Sequence, residues 1–341
     1  MTDHKQAKYN NPFIATITGI GDLFRHHEAV GTLHETDRLD GKTVLVDGAS
    51  SGLGYAIATD CARRGARIIM ACRSGIHGRG EAVKKTSGNP DVHMLPVDFS
   101  YVESIKQLAI SISEQFAPID IYICNAGIVP RKSRKTRQGL EEMFMVNYLS
   151  KFLFVNLLLK ENCFRSSSSH TSDPAPLNKS IPRIIFVSSE SHRNPGKIEW
   201  DKFGIYEPYS IGKSMELYGY YKLFLTAFSL ELSQRLNPDG LTRFSVFTLC
   251  PGPINSNIGR EAPKIFHPLM KLIFGIFFKS PAKAAVPVIY LAASKDLEGK
   301  PFDYLFLMSR KEIAELSADP LNRERLWELS WQLSNKLGVL F

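Results

Sequence analysis

Short runs of consecutive apolar residues recur from Gly41 onward: KTVLV (42–46), RIIMA (67–71), VHMLPV (92–97), IDIYI (119–123), RIIFVS (183–188), RFSVFTL (243–249) and YLFL (304–307). Longer segments with helix-like patterning separate them: one through about Arg64, others near 79–87 and 101–116, a long apolar one ending around Lys160, and one carrying several tyrosines. Strands this apolar, separated by helices, are buried on both faces, which predicts an α/β fold with a doubly wound parallel sheet and helices on both sides. One domain over residues 41–341 is expected, preceded by an extension, 1–40, whose pattern indicates no regular element. Two segments break the rhythm. FRSSSSHTSDPAPLNKSIP (164–182) reads as a mobile surface insertion, and the region 253–280 contains the greasy stretch APKIFHPLMKLIFGIFF (262–278).

Composition keeps the picture globular: 341 residues, 44% hydrophobic and 22% charged. No run reaches the roughly eighteen apolar residues of a membrane span, and the opening segment lacks the layout of a secretory signal. A reducing, cytoplasmic location is the expectation. Cys61, Cys72, Cys124, Cys163 and Cys250 lie far apart with no CxxC, as for reduced, buried thiols. The formal charge of +8 leaves room for an anionic partner. Its densest cluster, RKSRKTR (131–137), reads first as a solvated loop and, as the sharper alternative, as a contact for acidic lipid headgroups. No nucleic acid is expected, because no zinc-finger, RNA-recognition or helix-turn-helix pattern accompanies the charge. His26, His27 and His34 lack ligand spacing, so no metal is expected.

The sharpest local signal follows the first strand, in DGASSGLG (Asp47 to Gly54). Gly48, Gly52 and Gly54 free the backbone to turn tightly and approach a pyrophosphate. Ser50, Ser51 and Leu53 lie in the same turn, and the next helix offers its unpaired N–H groups. This is the Rossmann-type arrangement. At the end of the second strand, MACRS puts Cys72 where an NAD site carries an acid for the ribose 2′-hydroxyl. Arg73 and Ser74 follow and suit a 2′-phosphate, so NADP(H) is favoured over NAD(H). Asp98, after the third strand, is placed for the adenine amine.

These residues resemble the short-chain dehydrogenase/reductase family from about Leu39 to the C-terminus. DGASSGLG matches its glycine motif, and CNAG (124–127), with Asn125, Ala126 and Gly127, its Asn-Ala-Gly motif. Asn147 matches its mid-helix Asn, VSS (187–189) its catalytic Ser at Ser189, and CPGP (250–253), with Pro251 and Gly252, the Pro-Gly after the sixth strand. ARRGARIIMACRS, VSSESH and RERLWELSWQL are most similar to the retinol-dehydrogenase group. The resemblance implies an oxidoreductase that moves hydride between nicotinamide and a lipophilic alcohol or carbonyl compound, such as a retinoid, steroid or other lipid-like molecule. It also implies homodimers. Two positions depart from the family: Asp47 replaces its usual Thr, placing a negative charge near the pyrophosphate, and the apolar N-terminal anchor common in the group is missing. Membrane contact is then expected to be peripheral, through 262–278, which falls where the family places its substrate loop.

YSIGKSMELYGYYK (209–222) contains two Tyr/Lys pairs at a spacing of four, Tyr209 with Lys213 and Tyr218 with Lys222. On one continuous helix they face opposite ways, so at most one pair lines a given cleft. Counting back from a helix end near Leu236, the run from Lys222 is about 21 Å and from Lys213 about 35 Å. The next strand is about 26 Å long. The second pair fits the layer, and the family pattern agrees. Tyr218 is therefore expected as the proton donor and acceptor, with its pKa lowered by the Lys222 ammonium. Ser189 would bind the same oxygen and Asn147 would position a relay water. Tyr218 and Lys222 also belong to the cofactor site, while Tyr209 and Lys213 read as part of the substrate approach. Two alternatives remain at this level: a protochlorophyllide-reductase-like enzyme, from IIMACR and the C-terminal pattern, and a non-catalytic NADP-binding scaffold, which only Asp47 favours.

Overall fold

The computed structural model describes residues 28–165, 181–252 and 280–341. Seven strands, β1 (Thr43–Asp47), β2 (Arg67–Cys72), β3 (Val92–Pro96), β4 (Ile121–Cys124), β5 (Arg183–Val187), β6 (Ser245–Cys250) and β7 (Phe302–Phe306), pair in parallel in the order β3-β2-β1-β4-β5-β6-β7. A two-residue strand, β8 (Ser309–Arg310), returns antiparallel along β7, and the strand pattern of the sequence does not predict it. The order reverses between β1 and β4. At that switch point the flanking crossovers leave on opposite faces and open a crevice at the strands' carboxyl ends.

The helices are α1 (Gly52–Arg63), α2 (Ile76–Ser87), α3 (Val102–Gln115), α4 (Glu142–Lys160), α5 (Ile211–Leu236), α6 (Pro281–Ala293) and α7 (Pro320–Lys336). Alternation along each strand sends side chains to two cores. Val44 and Val46 of β1 join α1, α2 and α6 on one face, and Leu45 joins α3, α4, α5 and α7 on the other. A strand with both faces packed carries few polar residues in its middle, which is why the strands read as mostly apolar runs, with Thr248 of β6 and Asp303 of β7 as buried exceptions.

α4 is the centre of the second core. It is long and apolar enough to cross a bilayer, yet it is enclosed within the protein. Its pitch changes along its length: an α-turn at Glu142–Phe144, a π segment at Met145–Leu149, then α-helix from Ser150. α7 closes the outer side of α4 and α5. Its Trp327 lies 5.1 Å from the Phe152 ring and 5.9 Å from Phe228, and the Arg235 guanidinium stacks on it at 4.2 Å. Ser330 hydrogen-bonds Tyr148 at 2.6 Å.

The five cysteines are free and buried. The basic loop 131–137 is more tightly held than a solvated loop. Arg131, Lys132, Arg134, Lys135 and Arg137 are all exposed, but Arg134 pairs with Glu142, the Lys135 ammonium sits 4.7 Å over the Tyr206 ring, and Arg137 sits 4.5 Å over Tyr101. Nearly all of the insertion expected at 164–182, and all of 262–278, lie outside the described residues.

Phe152 is completely buried against Phe228, Trp327 and Phe341. Phe152→Ala is expected to cost about 3–5 kcal/mol of stability, read as a lower midpoint in urea unfolding with an unchanged slope.

Candidate active site

The turn after β1 is built on glycine conformations. Gly48 and Gly52 take φ of +63° and +55°, and α1 begins at Gly52 with Ser51 as its N-cap residue. No side-chain cap occupies its first amides, so an anion can accept from them. The turn also lies against the segment after β4. A Cβ on Gly48 would sit 2.9 Å from the Ala126 Cα, and one on Gly54 would sit 2.5 Å from the Asn125 Nδ2 and from the Gly48 carbonyl oxygen. Asn125 donates to the carbonyls of Asp47 (3.0 Å) and Gly48 (3.4 Å). Ser50 and Leu53 lie in the same turn, with Ser50 against Gly75 at the end of β2.

Asp47 is wholly buried, and its carboxylate binds this site together. Oδ1 accepts from the amides of Asn125 (2.6 Å) and Ala126, and Oδ2 accepts from the Tyr122 hydroxyl (2.8 Å) and the Lys151 ammonium (2.7 Å). The charge expected to trouble a pyrophosphate is therefore paired inside the fold. Lys151 is the partner that sequence reasoning missed. A lysine within the apolar run SKFLFVNLLLK, four residues after Asn147 and so on the same helix face, was its signal.

At the rim, Arg73 is exposed, with its guanidinium 4.0 Å from Glu142, and Ser74 is exposed beside it. Asp98 accepts through Oδ1 from the amide (2.9 Å) and hydroxyl (2.7 Å) of Ser100. On the other side, Pro251 and Gly252 follow β6. Gly252 has φ +78°, and a Cβ there would sit 2.7 Å from Leu307.

Asn147, Ser189, Tyr218 and Lys222 converge on the ends of β4 and β5. Asn147 lies in the π segment of α4, accepting from the Ile128 amide at 2.8 Å and donating to the Ile128 carbonyl at 2.9 Å. Both Asn147 and Lys222 come within 4 Å of the place a Cβ on Gly127 would take. Lys222 donates to the Val187 carbonyl at 2.7 Å, and its ammonium lies 5.6 Å from the centre of the Tyr218 ring. The Ser189 side chain lies near enough to the Tyr218 hydroxyl to influence its acidity, while the Ser189 hydroxyl itself donates to the Ser191 hydroxyl at 3.0 Å.

The other tyrosine is differently placed. Tyr209 precedes α5, which runs from Ile211 to Leu236, and its hydroxyl donates to Glu141 at 2.6 Å. Lys213 pairs with Glu216 at the surface. The expected electrostatics need one correction. Burial, with Cys250 nearby, holds the Tyr218 pKa above its usual value, and the neighbouring Ser189 side chain pulls the other way; Lys222 is not among these influences. Lys222 itself is pushed down to about 8, first by burial and then by the Lys151 charge.

A second unforeseen group fixes Ser189. The Ala314 amide donates to His192 Nε2 (3.1 Å), which leaves the ring proton on Nδ1, donating to the Ser189 carbonyl (2.7 Å). Burial lowers the His192 pKa to about 4, so it stays neutral. Glu190 accepts from Tyr304 (2.7 Å), Lys311 (2.5 Å) and Arg193 (3.1 Å). The serine turn is thereby tied to the chain after β6.

α5 approaches this turn closely at Gly219, where a Cβ would lie 2.6 Å from the Ser191 carbonyl oxygen. Gly→Ala inside a helix ordinarily gains about 0.5–1 kcal/mol. Gly219→Ala is expected to lose about 1–3 kcal/mol by overpacking. Gly212→Ala, which meets nothing within 4 Å, should be neutral or stabilising; urea unfolding of both variants gives the signs.

Lys222 makes the opposite kind of prediction. Its folded pKa of about 8 lies below the unfolded value near 10.4, so between these the unfolded chain holds the extra proton. The penalty is full below about pH 8 and fades as pH rises toward the unfolded value. Lys222→Met should raise Tm by ~2 °C or more at pH 7, with the gain shrinking toward pH 10.

The comparisons with known proteins follow the same lines. The short chain dehydrogenase family model matches residues 42–199. Retinol dehydrogenase 14 of Mus musculus is 32% identical over 307 residues, covering 86% of this chain and 85% of its own length. Retinol dehydrogenase 13 of Homo sapiens is 32% identical over 330 residues, covering 94% of this chain and 92% of its own. Among solved structures, an uncharacterised protein from Mycobacterium Paratuberculosis superposes with a TM-score of 0.65 at 26% identity, over 89% of this chain and 98% of that one. The chain belongs to the short-chain dehydrogenase/reductase family, in its retinol-dehydrogenase-like group.

Proposed function

We propose that this oxidoreductase uses NADP(H) and acts on a lipophilic alcohol/carbonyl pair, with Tyr218 as the proton donor and acceptor. The observation that carries the reading is the convergence of Ser189, Tyr218, Lys222 and Asn147 at the end of the sheet, beside the glycine turn. The residues of that turn fit a dinucleotide: left-handed glycines, a helix N-terminus without a side-chain cap and close backbone contact suit the approach of a pyrophosphate. Arg73 supports NADP(H), since an exposed guanidinium directly follows Cys72, the position at which an NAD site carries a carboxylate. For the substrate, the stretch of chain that leads to Tyr218 carries two exposed apolar side chains, Ile205 and Met215. Pairing of Asp47 with Lys151 removes the feature that favoured a non-catalytic scaffold.

The roles follow from the geometry. Tyr218, kept protonated by burial, donates to the carbonyl oxygen in reduction and takes the proton back in oxidation. Ser189, held by Ser191 and His192, hydrogen-bonds the same oxygen. Lys222, titrating near 8, exchanges its proton readily at neutral pH, and Asn147 holds the Ile128 backbone beside it. The bound nicotinamide supplies or accepts the hydride.

NADPH oxidation should be measured against retinal, steroid ketones and long-chain aldehydes. Tyr218→Phe is expected to lose at least ~100-fold in rate, while Tyr209→Phe retains most of it. Arg73→Ala should weaken NADPH about tenfold and NADH little. Loss confined to Tyr209→Phe would overturn the assignment of the tyrosine, and equal loss of both cofactors would overturn that of Arg73.

A further inference from the structure

The Asp47–Lys151 pair is unusual in its completeness. Side-chain exposure is 0% for Asp47 and 1% for Lys151, so neither charge has water to answer it. A carboxylate offers about four lone-pair sites. Asn125, Ala126, Tyr122 and Lys151 fill them, two on each oxygen. The far side of the ammonium faces the Phe99 ring at 4.0 Å, a second interaction that suits a desolvated cation. Three elements meet in this cluster: the end of β1, the segment leaving β4, and α4 one turn after Asn147. The contact is reciprocal, because Asn125 returns its side-chain amide to the Asp47 and Gly48 carbonyls.

A hydroxyl at position 47 has fewer acceptor sites and no charge. The carboxylate grips two successive amides with one oxygen, but only while the other is neutralised, since a buried unpaired charge is costly. The ion pair lies directly beneath the turn whose glycines touch Asn125 and Ala126.

Resting on the cofactor assignment above, we propose that Lys151 is a positioning residue: through Asp47 it fixes the Asn125–Ala126 backbone against the nucleotide turn and so sets how tightly the chain holds its nicotinamide cofactor. The same ammonium reaches the proton-transfer pair. Lys222 is faced by Asp47 of β1, Cys124 of β4, Lys151 of α4 and Cys250 of β6, with Tyr218 on its own helix. Lys151 is, after burial itself, the strongest of the influences holding Lys222 near 8.

The test uses the full chain with Lys151→Met and with Asp47→Thr/Lys151→Met, which removes both charges and leaves a hydroxyl. Three quantities are read: urea stability of the cofactor-free protein, NADPH affinity by fluorescence titration, and the pH profile of turnover. Lys151→Met is expected to lower stability and to weaken NADPH at least about tenfold, raising its KM with a smaller change in kcat. The double variant should recover most of both, because the orphaned carboxylate is gone. The pH at which Lys222 titrates should rise in both variants, since both lack the Lys151 ammonium. A Lys151→Met protein that does not fold beside a double variant that folds and binds also supports the pairing. NADPH affinity within twofold of wild type in Lys151→Met overturns the proposal, as does a double variant no better than the single one or failure of both to fold. If wild type binds no nicotinamide cofactor, the assignment of the site and this proposal both fall. A stability rescue in the cofactor-free double variant would then still mark the charge pair as structural.

Discussion

A carboxylate with no access to water has to be answered entirely by the protein, and Asp47 imposes that constraint on everything around it. Its donors come from β4, from the segment after β4 and from α4, so satisfying one side chain fixes three elements. The neighbouring glycines are a consequence. Once Asn125 and Ala126 are drawn onto the end of β1, little space remains at positions 48 and 54 for a side chain. The open helix N-terminus, the glycine turn and the Asn125 segment are thus one construction, held from below by a buried ion pair.

The end of the crevice that holds Ser189 and Tyr218 is organised by a separate set of contacts. His192 joins the Ser189 carbonyl to the Ala314 amide, and Glu190 gathers Tyr304, Lys311 and Arg193. The chain beyond β6 therefore braces the serine. α5 brings Tyr218 and Lys222 against that turn through the notch at Gly219, while the π segment of α4 sets Asn147 beside Lys222. The two constructions meet at Gly127, between Asn147 and Lys222.

Burial is the common electrostatic theme. It keeps Tyr218 protonated, His192 neutral and Lys222 easier to deprotonate than an exposed lysine. Tyr209 differs in its partners: its hydroxyl is committed to Glu141 at the edge of the approach, so the duplicated Tyr/Lys spacing does not duplicate the site.

Much of this was legible in the sequence because it is local. Mostly apolar runs identify strands packed on two faces, and glycines after the first strand identify a tight turn into a helix; the count of rise per residue that favoured Tyr218 over Tyr209 did not foresee that the helix begins as early as Ile211 and leaves Tyr209 outside it. MACRS likewise places Arg73 at a strand end. What tertiary structure alone decided are pairings between residues far apart in the chain. Asp47 meets Lys151 104 positions away, and His192 meets Ala314 122 positions away. The sequence presents Asp47 as an unfavourable charge beside a nucleotide and Lys151 as an odd lysine in an apolar helix. Periodicity reports which face a residue occupies but carries no information on what lies opposite. Only the packing of β1 against β4 and α4 brings the two charges together, and the cost of burying either one alone is what makes the pair necessary.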